Sequence, residues 1–565
     1  MNKFIVFQQW WYTMKVEWFK VKKSSFVEGT VIATIAIVFT KILGMLYVIP
    51  FYATVGKAGG ALYAYAYNIY IIFLDISTAG IPTAMSKIIN EYDTLNYKDA
   101  KCRAFKIGKR IIFIISLIAF LVLMIFAPFI AKTLIGDMKG GNSISDVAFT
   151  IRAVAFALLV IPFLSVSKGY LQGHKVINVS SVSQVIEQII RIAVILVGSY
   201  VVYKVLGLPL KYAIGLAVSG AFFGGLFAYL YVFIKIRRSK KELDLTGNLK
   251  KDNIANKEIV KKIFTYAIPF IIISACMSIY NFVNMVFINR TLAYLNFDTK
   301  TVEYITTSIT TWAPKISMII TSLAMGMTVS LIPNIVEAFT LKKWDLVNER
   351  FNKALQIIIF ISLPACIGIM LLAKPVWTIF YSRDTLGFQI LTVCIVIPLI
   401  QNVFMITQST LQSLNKFKAV YLSTIIGLIV NASLDIPLML LFNKFGLAYV
   451  GATIATIVGY GLSIVIALTL LKKEHGLKYG ETFKTALKSL VPLVVMVLVV
   501  VLLKIFIPYV DRKIYLVGYI AIISIVGAIT YLLISFKMGI INSVFGKEYI
   551  NKILKKLTFG KFSIK

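Results

Sequence analysis

The chain has 565 residues, 59% of them hydrophobic, with 59 Lys and Arg against 24 Asp and Glu, and a mean hydropathy of +0.85. A soluble globular domain is nearer ~45–50% apolar, so this composition excludes one and belongs to an integral membrane protein. Two histidines in predicted loops and four widely spaced cysteines exclude an intramembrane histidine metal centre or catalytic base, and the cysteines read as small packing residues.

In chain order, residues 1–26 come first, an aromatic and basic segment holding Trp10, Trp11, Trp18 and several lysines. It lacks the uninterrupted apolar core and cleavage site of a secretory signal. It reads as a cytoplasmic segment at headgroup level, and Met14 stands as an alternative start to Met1. Fourteen stretches of about 20 apolar residues follow. Six of them fill 27–234, a basic linker occupies 235–262, and six more fill 263–471. Two further spans lie in 472–536, and 537–565 is a basic tail. The eighth span carries Pro314 and Pro333 and the tenth Pro398, which predicts breaks in both helices.

With the N-terminus in the cytoplasm, roughly 40 of the 59 Lys and Arg residues fall on the cytoplasmic side, the positive-inside asymmetry. The net charge of +35 is thus topological, with some attraction to anionic lipid headgroups, and no nucleic-acid partner is expected. Both termini are expected in the cytoplasm. No loop is long enough for a soluble catalytic domain, so no enzyme activity is expected and function must reside in or between the helices.

Two fragments recur. SVSKGYLQGHKVINVSSVSQVI (165–186) is similar to ITQSTLQSLNKFKAVYLSTIIG (406–427), with the LQ pairs 240 residues apart, and STAGIPTAMSKIINE (77–91) echoes MTVSLIPNIVEAF (327–339). Matching positions differ by six spans. The expected fold is therefore all-α, with two six-helix bundles related by pseudo-twofold symmetry plus two C-terminal helices. Transporters built from such repeats bind substrate between their halves.

Charges inside spans are mostly basic: Lys41, Arg152, Lys168, Arg191 and Lys315 against Asp75, Glu187 and Asp435. Each costs about 2.5–3.5 kcal/mol at a helix centre. A basic balance suits an anionic headgroup, because a pyrophosphate takes charge-assisted hydrogen bonds from Lys and Arg. Lys41, Arg191, Lys315, Glu187 and Asp75 are the candidate cavity residues. Arg152 and Lys168 lie near span ends, where snorkelling is the structural reading. Glu187 and Arg191 are four apart, Glu first, the favourable order for an ion pair; the pair reads as structural or as a switch opened by phosphate. Asn431 and Asp435 lie one helical turn apart, and Asn281 and Thr456 fall at similar depth. Oxygen donors from three helices suit a small hard cation, with interhelical hydrogen bonding as the alternative. Gly220 and Gly224 form a GxxxG, read as close helix packing.

The order and spacing of FTKILGMLYVIPFY (39–52), LDISTAGIPTAMSKIINEY (74–92), GYLQG…SQVIEQIIRI (169–192) and VSLIPNIVEAF (329–339) carry a resemblance. The chain resembles the multidrug/oligosaccharidyl-lipid/polysaccharide exporter superfamily and, within it, the MurJ-like lipid II flippases in the stage V sporulation protein B branch. The resemblance implies a multi-pass protein of a bacterial plasma membrane, expected as a monomer. It would flip an undecaprenyl-pyrophosphate-linked cell-wall precursor by alternating access, with membrane lipids as its other partners. The alternatives are a teichoic or capsular precursor flippase and a cation-coupled multidrug exporter. Lys41 matches a basic position of the family. Asn431, Asp435 and Thr456 match its sodium site, with span seven ambiguous between Asn281 and Asn284. Sodium or the membrane potential would drive transport, and no other cofactor is implied. Spans thirteen and fourteen would line a groove for the polyprenyl tail. Val48 stands where this branch often has arginine.

Overall fold

The computed structural model describes residues 26–78, 80–136, 140–243, 245 and 252–546, so the headgroup-level segment with Met14 and most of the basic tail lie outside the described residues. All regular elements among them are helical, as lipid requires, since backbone polar groups must be satisfied within the segment. Twelve helices are long and apolar enough to cross a membrane, and they correspond to expected spans two to seven and nine to fourteen. The first and eighth spans contribute only shorter apolar stretches, Ile35–Leu46 and Met318–Met327. The expected count of fourteen is therefore not reached among the described residues.

The chain divides into two compact units, Met1–Phe282 and Val283–Lys565. In the first, helices α1 (Phe26–Leu46), α2 (Val48–Thr78), α3 (Ile81–Thr94), α4 (Lys98–Ile135), α5 (Ile144–Ala155) and α6 (Ile161–Gly173) are followed by α7 (Ile177–Ala193) and α8 (Leu210–Arg238). The second half of span five continues α7 as two π-helical turns, Val194–Gly198 and Val201–Val205, and is thereby loosened relative to an α-helix.

 In span five, these π turns follow directly on the turn that carries Glu187 and Arg191. Helix α9 (Asn256–Tyr294) crosses the boundary between the units.

The boundary between the compact units at Phe282 lies inside span seven, and the first part of α9 is bonded into the first unit. Lys262 pairs with Glu91 at 2.6 Å and lies over the Tyr92 ring, and the Ser278 hydroxyl donates to the Asp75 carboxylate. The end of the linker is pinned as well. Asp252 accepts the Ala100 backbone N–H at 2.7 Å and pairs with Arg103 at 2.6 Å. This places a carboxylate on the N-terminal turn of α4, where the helix dipole favours it.

The second unit continues with α10 (Thr299–Thr307), α11 (Ala313–Ile316), α12 (Met318–Thr340), α13 (Trp344–Leu371) and α14 (Ala373–Phe380). After these come α15 (Thr385–Cys394), α16 (Ile397–Ser413), α17 (Phe417–Asn443), α18 (Ala448–His475), α19 (Gly480–Phe506), α20 (Lys513–Lys537) and the short α21 (Ile540–Phe545). Both expected breaks are present. Span eight is interrupted by a π-helical turn at Ser308–Trp312 and again at Ser317, which leaves its apolar part in pieces too short to count as one span. Span ten breaks at Ile395–Val396, just before Pro398.

The repeat is visible in the turns of each unit. After α6, Val176 N–H bonds to Leu171 C=O and Lys175 N–H to Gln172 C=O, with Lys175 at φ 61°. After α16, 240 residues later, Lys416 bonds to Leu411 and Asn415 to Gln412, with Asn415 at φ 57°. Both are Schellman closures. The same pattern ends α3 at Asn96 and α12 at Lys342, again six spans apart. Lys175 therefore corresponds to Asn415, one residue before Lys416.

Candidate functional site

The first unit gathers three charges within membrane-crossing helices. Arg191 Nη2 donates to Glu187 Oε1 at 2.5 Å, as the i,i+4 spacing predicts. Lys168, on α6, reaches the other carboxylate oxygen at 3.3 Å. Lys168 is thus a member of this cluster and not a snorkelling side chain, which corrects the sequence reading. Arg152 does fit that reading: it is exposed, and its Nε donates to the Met124 carbonyl. One carboxylate between two cations leaves a net charge of +1. All three side chains are 15–19% exposed, which reduces their solvation without removing it. The Arg191 Nε is buried and has no hydrogen-bond partner among the described residues.

Glycines set the cluster's position. A Cβ on Gly224 would lie 2.5 Å from the Glu187 carbonyl oxygen and 3.2 Å from Arg191 Cβ, and one on Gly220 would lie 2.9 Å from the Arg191 carbonyl oxygen. The GxxxG of α8 is therefore the seat on which the charged turn of α7 rests. Gly224→Val is expected to force these helices apart and to lower the melting temperature of the purified chain, an overpacking cost of about 1–3 kcal/mol. An unchanged melt would show that the two helices do not need this contact.

Tyrosines lie near the guanidinium. Tyr63, Tyr67 and Tyr70 of α2 lie within electrostatic reach of Arg191, as does Tyr47. Tyr47 and Tyr63 share a hydrogen bond of 3.3 Å, and Tyr63 stacks on Tyr67 at 5.6 Å. The Tyr70 hydroxyl is buried without a partner among the described residues. Sequence reasoning missed this group, whose one signal was the run YAYAYNIY (63–70). Lys41 is half-buried on α1 and follows Thr40, which accepts a 3.5 Å hydrogen bond from Gln184 on α7. Asp75 is half-buried on α2 and bonded to Ser278.

The second unit holds the oxygen-rich constellation. Asn431 Nδ2 donates to Asp435 Oδ1 at 3.1 Å, and Asn284 Nδ2 donates to Thr456 Oγ1 at 2.9 Å. All four residues are buried. Of the two span-seven candidates, Asn284 is buried and bonded to Thr456, whereas Asn281 is exposed. Asp435 and Thr456 each lie eight residues from the hairpin ends Asn443 and Ala448. At about 1.5 Å per residue they share a level. Gly451, against the Leu438 backbone, brings α17 and α18 into direct contact one turn nearer the hairpin.

Three oxygens there, Asn284 Oδ1, Asn431 Oδ1 and Asp435 Oδ2, are buried with no hydrogen-bond donor among the described residues. A buried carboxylate oxygen without a donor is costly, and a cation bound beside Asp435 would offset that cost. No group of three His, Cys, Asp or Glu gathers among the described residues. One carboxylate with amides and a hydroxyl is a donor set for a hard cation. The residues fit a sodium ion.

The same unit contains an apolar cavity of about 420 Å³, lined by Ile316, Phe360, Gly368, Met496, Gly527 and Tyr531 among others. Its walls come from spans eight, nine, thirteen and fourteen. Lys315, half-buried, immediately precedes the lining residue Ile316 in the broken helix.

Residues 26–339, more than half of the chain, match the family described as polysaccharide biosynthesis protein. The lipid II flippase MurJ of Bacillus subtilis (strain 168) is 31% identical over 537 residues, 93% of this chain and 97% of that protein. This chain is a MurJ-like member of the polysaccharide biosynthesis protein family. Stage V sporulation protein B of the same organism is 22% identical over 81% of this chain and 87% of its own length. Among solved structures, a lipid II flippase MurJ in an inward closed conformation aligns with a TM-score of 0.62 at 16% identity, covering 90% of this chain and 99% of that one. An inward-facing multidrug resistance transporter of the MATE family and the MOP superfamily aligns at 0.58 and 18% identity, over 77% and 94%. These likenesses establish the fold of this MurJ-like protein, a multi-pass bacterial membrane protein.

Proposed function

We propose that this MurJ-like chain flips a lipid-linked oligosaccharide carrying a pyrophosphate, lipid II or a related undecaprenyl-pyrophosphate precursor, from the inner to the outer leaflet. The carrying observation is the Lys168–Glu187–Arg191 cluster, net positive and half-buried among apolar helices. A polyanionic headgroup offsets that surplus, and the guanidinium fork matches phosphate oxygens. Phenols around Arg191 supply further hydrogen-bond donors. The apolar cavity beside Lys315 suits a polyprenyl chain whose phosphate end lies near a base.

In this reading both termini are cytoplasmic, as the Lys and Arg distribution implies, and a central cavity opens to each side in turn. A sodium ion held by Asn284, Asn431, Asp435 and Thr456 would neutralise Asp435. The inside-negative potential would draw an unloaded, net-positive cavity back inward.

Depletion of the protein in its native cell tests the reading. Lipid II is expected to accumulate facing the cytoplasm, measured by leaflet-selective labelling. Accumulation of a teichoic or capsular precursor with lipid II undisturbed would move the substrate to that glycolipid. Loss of drug efflux with every precursor undisturbed would overturn the flippase reading altogether.

A further inference from the structure

A second cavity, of about 600 Å³, lies in the second unit, and transport of a lipid-linked glycan gives it no task. It is lined by Glu349, Lys353 and Gln356 of α13, Lys478 and Glu481 at the start of α19, and Ser543 of α21, among others. This size is within the usual range for small-molecule sites, about 300–1,000 Å³. The loops around it belong to the side that the charge distribution assigns to the cytoplasm.

The wall is built and held. Asn352 donates to the Lys478 carbonyl at 2.8 Å and accepts the Thr482 hydroxyl at 2.6 Å, which ties α13 to the start of α19. One turn on, Gln356 is only 6% exposed, lines the cavity and has no hydrogen-bond partner among the described residues. Its carboxamide is therefore open to the cavity, where a bound molecule can pair with it. The rim carries two bases, Lys353 and Lys478, and two acids, Glu349 and Glu481. Lys353 spends one donor on the Ser543 carbonyl and keeps others. Glu481 is shared with Lys484 at 3.1 Å, whereas Glu349 has no ion pair among the described residues. A balanced rim favours a ligand that carries both signs over a simple anion.

Gln356 also lies one helical turn from Phe360, which lines the apolar cavity on the same helix. Helix α19 contributes to both cavities, through Thr485 and Met496. A polar chamber and an apolar chamber thus follow one another along α13 and α19, the arrangement that an amphiphile fills. We propose that the polar cavity binds a zwitterionic phosphoethanolamine group, with its phosphate on Lys353, Lys478 and the Gln356 amide and its primary ammonium on Glu349. A quaternary ammonium has no N–H to donate and is discriminated against.

The test is competitive binding to the purified full-length chain, which does not depend on what the protein transports. Native mass spectrometry with equal amounts of phosphatidylethanolamine, phosphatidylcholine and phosphatidylglycerol is expected to show about tenfold preference for the ethanolamine lipid, the worth of one charge-assisted hydrogen bond. The exposed-site variant Glu349→Gln, which does not threaten folding, should erase the preference, and Gln356→Leu should weaken retention of the lipid. Soluble O-phosphoethanolamine, followed by thermal shift, separates the sources: a shift that is lost in Glu349→Gln shows that the headgroup alone suffices, and its absence alongside lipid preference shows that the chains are needed. Equal retention of all three lipids with no shift by the soluble probe overturns the proposal.

Discussion

Arg191→Ala is expected to slow headgroup translocation about 10- to 100-fold, the loss of one hydrogen-bonded charge contact to substrate, while the chain stays folded. Folding survives because Glu187 keeps Lys168 as its partner at 3.3 Å, so no uncompensated charge is left in the helices. The cluster falls from net +1 to neutral, and the attraction for a pyrophosphate falls with it. Arg191→Lys restores the charge without the planar fork and should recover part of the rate. Translocation by purified protein in proteoliposomes, together with thermal melting, checks both. A full rate in Arg191→Ala would make the Glu187–Arg191 contact a purely structural pair. Glu187→Gln separates the two readings further, because a switch that opens when phosphate engages Arg191 needs the carboxylate and a structural pair in a tolerant fold does not.

Asp435→Asn should abolish sodium dependence. In the parent chain, sodium at roughly a hundredfold excess over Kd is expected to stabilise the fold by about 2.7 kcal/mol, measured as a shift in thermal unfolding against potassium. The variant replaces a carboxylate oxygen that has no donor with a neutral amide, so the buried charge vanishes and the ion loses its one anionic ligand. The shift should vanish with it. A sodium shift that persists in Asp435→Asn would place the ion elsewhere. The Asn284–Thr456 contact at 2.9 Å makes Asn284→Ala the companion variant, expected to weaken sodium and spare potassium-state stability.

Features that depend on nearby residues were legible in the sequence. Hydropathy over about 20 residues marked out fourteen stretches, of which twelve are helices long and apolar enough to cross a membrane among the described residues, and prolines marked the breaks in spans eight and ten. The i,i+4 spacing found the Glu187–Arg191 pair, and GxxxG found the seat behind it. The repeat was readable because Schellman turns are closed by hydrogen bonds within six residues, so the same local sequence closes the same way in each unit.

What the sequence alone determined is therefore membrane class, helix order, the repeated turns and the inventory of charges placed in hydrocarbon, all of which follow from local geometry and the cost of exposing polar groups to lipid. Tertiary structure decided which of those groups meet. Lys168 joins Glu187 across a helical hairpin, Tyr63, Tyr67 and Tyr70 come from α2 to Arg191 on α7, and Asn284 rather than Asn281 meets Thr456. The division of the chain inside α9 depends likewise on Lys262 and Ser278 finding Glu91 and Asp75. Such contacts depend on helix rotation and depth, which are set by packing against a partner helix distant in sequence and leave no periodic mark on either segment.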